Sequence, residues 1–142
     1  MYMIRYIEEA DKAFWFTVDK SIDELTFENK VRDYQAYIFE EQRKKIGLLR
    51  YSLFGDNIPY CNLLFISENY RRLGCGKALL HYWEQDMKAR GYQYAMASSR
   101  INDEIHLFYR KMGYREIGGI IIPEARTDST MEILMLKPLR NS

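Results

Sequence analysis

The chain has 142 residues, 47% hydrophobic and 29% charged, with 21 Lys plus Arg against 20 Asp plus Glu and a formal net charge of +1. That length fits a single domain over residues 1–142, the apolar share argues against disorder, and the near-neutral balance gives no global pull on nucleic acid. Cys61 and Cys75 form neither a disulfide framework nor a metal-ligand spacing, and without a signal-peptide core or a bilayer-length apolar run the expected setting is cytoplasmic, with no membrane partner.

Residues 2–7 are short, apolar and β-prone and predict a first strand. Ala10, Phe14 and Val18 recur four apart, which predicts a helix over 8–19. Ser21 followed by Glu24 matches a capping box and predicts a second helix to about Arg32. Tyr34–Glu40 and Ile46–Phe54 read as a hairpin across the polar turn Glu41–Lys45. After the breakers Gly55–Pro59 comes Tyr60–Ile66, a nearly continuous apolar run that predicts a strand buried on both faces.

The loop Ser67–Gly76 leads into a predicted helix from about Cys75 to Arg90. Its apolar stripe is Leu79, Leu80, Trp83 and Met87, its charge pairs are Glu84–Lys88 and Asp86–Arg90, and Gly91 is its stop. Tyr92–Ser98 predicts a strand. Asn102 is the predicted N-cap of a helix carrying Ile105, Phe108, Tyr109 and Met112 on one face and closed by Gly113. Two last strands, Tyr114–Ile122 and Thr130–Pro138, flank the polar loop Pro123–Ser129. The element order predicts an α/β fold with a mixed sheet and helices on its faces.

The chemistry concentrates between the strand ending at Ile66 and the helix starting near Cys75. Arg71, Gly74 and Gly76 spell R-x-x-G-x-G there, with Arg72, Leu73, Cys75 and Lys77 in the same turn. Glycines let backbone approach a ligand. The first amides of a helix have no intrahelical partner, and with the dipole they favour an anion such as a diphosphate. Alone, the same residues are equally compatible with a tight turn bearing solvated arginines. The spacing is neither a P-loop nor a dinucleotide fingerprint.

Together with a second segment the motif resembles a family. The GNAT acetyltransferases carry [QR]-x-x-G-x-[GA] after their fourth strand, and an Asn followed by a helix ending L-Y-x-x-x-G-[FY]. This chain has Arg71, Gly74 and Gly76, then Asn102 and Phe108-Tyr109 with Gly113-Tyr114, in the same order. The resemblance covers the whole chain and implies the GNAT fold: a mostly antiparallel seven-stranded sheet flanked by about four helices. It implies acetyl-CoA as cosubstrate, with Leu64, Phe65 and Ile66 pairing with the pantetheine through their backbones, Arg71–Lys77 cradling the diphosphate and Asn102 bonding the cofactor. An amine acceptor would attack the thioester directly, a strand-four amide would hold the oxyanion, and Tyr109 would protonate the thiolate as general acid.

From its spacing alone, Tyr109 reads as a core tyrosine with a bonded hydroxyl, on the apolar stripe of Ile105 and Phe108. The strand-four carboxylate of many relatives is absent from Tyr60–Ile66, so Glu24, Glu40, Glu41, Glu132 or a water relay are the candidate bases. That absence keeps a second reading open, an acyl-CoA-sensing module without turnover. A third is an unrelated anion-binding domain. Cys75 reads as a space-filler or as a thiol near an anion site. Cys61, His81 and His106 read as ordinary packing or helix residues. Tyr34, Tyr37 and Tyr51 fit an acceptor cleft or sheet packing equally. The apolar C-terminal strands are compatible with a homodimer.

Overall fold

The computed structural model describes residues 1–100, 103–121 and 131–139. Its strands are β1 (Tyr2–Tyr6), β2 (Ala36–Glu41), β3 (Lys44–Phe54), β4 (Ile58–Ile66), β5 (Tyr94–Arg100), β6 (Arg115–Ile120) and β7 (Glu132–Pro138). Its helices are α1 (Lys12–Val18), α2 (Glu24–Asp33), α3 (Cys75–Ala89) and α4 (Glu104–Lys111). The seven strands form one sheet in the order β1-β2-β3-β4-β5-β7-β6. β4 and β5 pair parallel, whereas β1–β2, β2–β3, β5–β7 and β6–β7 pair antiparallel. The expected mixed, mostly antiparallel α/β sheet is what forms. By contact density the chain divides into two units, Met1–Ser52 with Leu63–Trp83, and Leu53–Asn62 with Glu84–Ser142.

In the first unit, Trp15, Phe27, Ile38 and Leu48 are fully buried and pack as a cluster with Ile7 and Ala36, against which Leu63 and Phe65 also rest. The helix predicted over 8–19 begins instead with a 3₁₀ turn at Glu9–Asp11. Asp11 is pulled back there, accepting from the Glu8 amide while bound to Arg5 and Lys45. The N-cap of α2 is Asp23, not Ser21. The Asp23 side chain accepts from the Thr26 amide at 2.8 Å, whereas the Ser21 amide is drawn to Asp19. The β2–β3 turn is tighter than the sequence suggests: Gln42 and Arg43, both at positive φ (49° and 67°), connect the strands alone, the twist that two-residue hairpins favour.

β4 is not buried on both faces. Pro59, Cys61 and Ile66 are buried, Leu63–Phe65 half-buried and Asn62 exposed, so an apolar run does not by itself mean two covered faces. β3 approaches β4 closely at Gly47, where a Cβ would lie 2.9 Å from the Phe65 carbonyl oxygen. Gly47 adjoins the irregularity at which Phe39 pairs with Gly47 but Glu40 pairs with Lys45, the setting in which strand glycines recur.

In the second unit the buried residues include Cys61, Met96, Tyr109, Tyr114 and Met135. Gly91 ends α3 as predicted: its amide bonds Lys88 and that of Tyr92 bonds Met87, a Schellman pair. Of the predicted α3 charge pairs, Asp86–Arg90 forms at 3.3 Å. Glu84 turns inward and is taken by Tyr114 and Lys137 at 2.6 and 2.8 Å. The N-cap of α4 is Asp103, one residue past the predicted Asn102, which lies outside the described residues, as does the loop Pro123–Ser129.

Candidate active site

The turn before α3 takes the shape its sequence demands. After a 3₁₀ turn at Glu68–Tyr70, Arg72 has φ 64° and Gly74 φ 86°. Non-glycine residues seldom adopt that region, and glycine enters it freely. A Cβ at Gly74 would meet nothing within 4 Å, so the surroundings are open. The Gly74 carbonyl accepts the Ala78 amide at 3.0 Å. The amides of Cys75, Gly76 and Lys77 precede it in the first helical turn, where no intrahelical acceptor exists. A cleft of about 420 Å³ borders the turn at Leu73, Gly74 and Cys75, with Tyr2, Phe39 and Tyr70 among its walls. Burial, and then the Glu41 charge, push the Cys75 thiol up, so this cysteine is not an activated thiolate.

The arginines of the turn divide. Arg71 donates from Nε to the Ile66 carbonyl at 2.7 Å, and its guanidinium lies 5.6 Å from the centre of the Phe65 ring. It therefore splints the end of β4 to the turn. Arg72, Leu73 and Lys77 are exposed. In the second unit the parallel ladder between β4 and β5 runs through Tyr60↔Met96 and Cys61↔Ala97. Leu64, Phe65 and Ile66 lie beyond its last pair.

Tyr109, on α4, is buried to 3% exposure. Its ring packs edge-on to Phe108 and Tyr114 at 5.5 and 5.3 Å, and its hydroxyl donates to Cys61 Sγ at 3.7 Å. Burial, reinforced by Cys61, holds the phenol well above its ordinary pKa of 10, so it keeps its proton at neutral pH. Its placement is the work of the helix end. The Gly113 amide bonds Arg110 and the Tyr114 amide bonds Tyr109 at 3.0 Å, with Gly113 at φ 100°. That is a second Schellman motif, whose characteristic apolar contact is the Tyr109–Tyr114 ring pair. The predicted aromatic stripe and glycine stop are one device.

Most expected bases are already engaged. Glu24 faces Lys12 at 3.6 Å, Glu40 pairs with Arg5, and Glu41 pairs with the Met1 ammonium at 3.0 Å. Glu132 starts β7, opposite Arg100 and Ile120. Tyr37 and Tyr51 are buried in the sheet's packing, whereas Tyr34, the C-cap of α2 in a left-handed conformation, is exposed. Sequence reasoning missed two arrangements built on the buried residues Glu84 and His106. One is Glu84 with Tyr114 and Lys137. The other is a chain from Ser99 Oγ to His106 Nδ1 (3.2 Å) and from His106 Nε2 to Glu116 (2.9 Å). The partners of Glu84 lie 30 and 53 residues away, and Ser99, His106 and Glu116 come from three successive elements, so neither arrangement follows from a local pattern. Among the described residues no helix is long and apolar enough to cross a membrane.

Comparisons with known proteins bear on this geometry. The model of the GNAT acetyltransferase domain matches residues 32–116, a range that contains both signature segments. No curated protein matches the sequence significantly. Among solved structures, the ribosomal-protein-S18-alanine N-acetyltransferase of Escherichia coli superposes with a TM-score of 0.81 at 18% identity, over 100% of this chain and 96% of that one. Ard1 from Thermoplasma volcanium gives 0.81 at 17% identity, over 99% of each chain. A Bacillus anthracis str. Ames protein assigned as a streptothricin acetyltransferase, solved with acetyl coenzyme A, gives 0.79 at 17%, over 97% and 98%. The structural likenesses speak for the fold; the family match over more than half of the residues, with both signatures inside it, shows that the chain belongs to the GNAT acetyltransferases.

Proposed function

We propose that the chain moves an acetyl group from acetyl-CoA to a primary amine by direct transfer in a ternary complex. The observation that carries this reading is the open first turn of α3. There Gly74 at φ 86° with empty surroundings leaves the amides of Cys75–Lys77 free to grip a diphosphate, with Arg72 and Lys77 adding charge. The backbone of Leu64–Ile66, past the end of the β4–β5 ladder, receives the pantetheine, and a β4 amide holds the oxyanion. Tyr109 supplies the proton that the thiolate takes up. Asn102 completes the cofactor contacts. With Glu24, Glu40 and Glu41 engaged in ion pairs, the amine enters neutral or loses its proton to water.

Two measurements test this. Incubation with acetyl-CoA and a panel of primary amines should release free thiol, and Tyr109→Phe should lower kcat by about 10²–10⁴ with CoA affinity nearly unchanged. The absence of a carboxylate on β4 favours one alternative, an acyl-CoA sensor. Tight CoA binding with no thiol release for any amine would select it. A preference for ATP over CoA in calorimetry would remove both readings.

A further inference from the structure

We propose that Cys61 is the positioning residue for the Tyr109 hydroxyl, a resting acceptor that the phenol exchanges for the thioester sulfur. The inference rests on Tyr109 being the proton donor. Tyr109 and Cys61 are 3% and 4% exposed. Cys61 Sγ, 3.7 Å away, is the acceptor given to the hydroxyl among the described residues. A buried hydroxyl without a partner is costly, and one bound to a carboxylate or carbonyl would be costly to release. A neutral thiol lies between these cases, because it is a weak acceptor. The neighbouring Tyr60 shows the contrast: its hydroxyl donates to the Ser98 oxygen at 2.8 Å. Cys61 is also the last β4 residue in the ladder with β5, opposite Ala97, so the resting acceptor stands where strand pairing ends.

The proton balance gives the thiol a second task. The amine nitrogen bonds the acetyl carbon, the carbon–sulfur bond breaks, and the departing thiolate takes the Tyr109 proton. The proton lost by the nitrogen returns to the phenolate. While the phenolate lasts, Cys61 S–H turns from acceptor to donor and stabilises a charge that burial disfavours.

The test is a double-mutant cycle of Cys61→Ser and Cys61→Ala with Tyr109→Phe, checked by thermal melting. The Ser variant offers a stronger acceptor that holds the hydroxyl back, and the Ala variant offers none. Each should lower kcat by about tenfold with KM for acetyl-CoA within about twofold, and neither should change kcat further once Tyr109 is Phe. If one variant does not fold, the other completes the cycle. In the free chain, the Raman S–H band assigned by its loss in Cys61→Ala should shift in Tyr109→Phe. Unchanged kcat in both Cys61 variants, equal losses with or without the Tyr109 hydroxyl, or an unmoved S–H band would overturn the inference. If Tyr109→Phe keeps the parent kcat, the donor assignment fails first and takes the inference with it.

Discussion

Gly47→Ala is the sharpest probe of how the fold sets the position of β4. The new Cβ would lie 2.7 Å from Ile66 Cδ1, 2.9 Å from the Phe65 carbonyl oxygen and 3.3 Å from Phe39 Cβ. The Ile66 methyl can rotate aside, but the Phe65 oxygen is backbone. Restoring an ordinary contact near 3.4 Å requires the two strands to part by about half an ångström. β4 is pinned just beyond that point by the Ser67 amide on the Ile46 carbonyl, at 2.7 Å, so the strain cannot drain into the following turn. Overpacking of this kind costs about 1–3 kcal/mol. The displaced segment is the one proposed to pair with the pantetheine, and a shift of that size should also cost about tenfold in kcat/KM for acetyl-CoA. Urea unfolding gives the first number, steady-state kinetics the second, and calorimetry with CoA separates binding from chemistry. An Ala variant as stable as the parent, with unaltered CoA binding, would refute the claim that Gly47 sets the position of β4.

Three further outcomes are expected. Gly74→Asp puts a side chain at φ 86° and a negative charge in the turn, and should weaken CoA binding while the far-ultraviolet spectrum stays unchanged; unaltered affinity by calorimetry would separate this turn from the diphosphate. Gly113→Ala forces a Cβ at φ 100° to within 3.4 Å of the Lys137 chain, and should cost about 1–2 kcal/mol in chemical unfolding, whereas no loss would mean that the Schellman end is not what holds Tyr109. Asp11 is buried, which alone would raise its pKa, but hydrogen bonds from Arg5, Lys45 and the Glu8 amide bring it down from 3.8 to about 2. A depressed carboxylate stabilises the fold above its unfolded value and loses that contribution as pH falls from about 4 to 2, on the order of 2 kcal/mol. Acid titration of Asp11→Asn should therefore show a deficit at pH 7 that narrows below pH 4, and a deficit constant with pH would refute it.

Periodic features were legible because their cause is local. The α3 stripe, the Gly91 and Gly113 stops and the strand sequence follow from spacing and from the left-handed residues that helix ends require. What was not legible depends on choices made in space. Ser21 fits a cap by its spacing to Glu24, but its amide is bound to Asp19 and Asp23 takes the cap. Tyr60–Ile66 reads as doubly buried, yet Asn62 is exposed and Leu63–Phe65 are only half-covered. The bond from Arg71 Nε to the Ile66 carbonyl, which ties the turn to the end of β4, has no signal in the R-x-x-G-x-G spacing. The pairing of Tyr109 with Cys61, 48 residues apart, has no trace in either local pattern.

The two readings of Tyr109 that the sequence left side by side, core residue and acid, are not rivals. A proton donor that must act once per turnover needs a fixed direction, and a phenol ring has one only if its neighbours confine it. Gly113 turns the chain, Tyr114 folds back onto the Tyr109 ring, and Glu84 anchors the Tyr114 hydroxyl at 2.6 Å. Burial that would suit a passive tyrosine would thereby also confine the ring of the proposed acid. The same burial raises the phenol's pKa, which makes full proton release harder and places a premium on whatever stabilises the phenolate at the moment it forms. If Tyr109 is the acid, the group beside its hydroxyl would matter as much as the hydroxyl, and the group beside it is the Cys61 thiol.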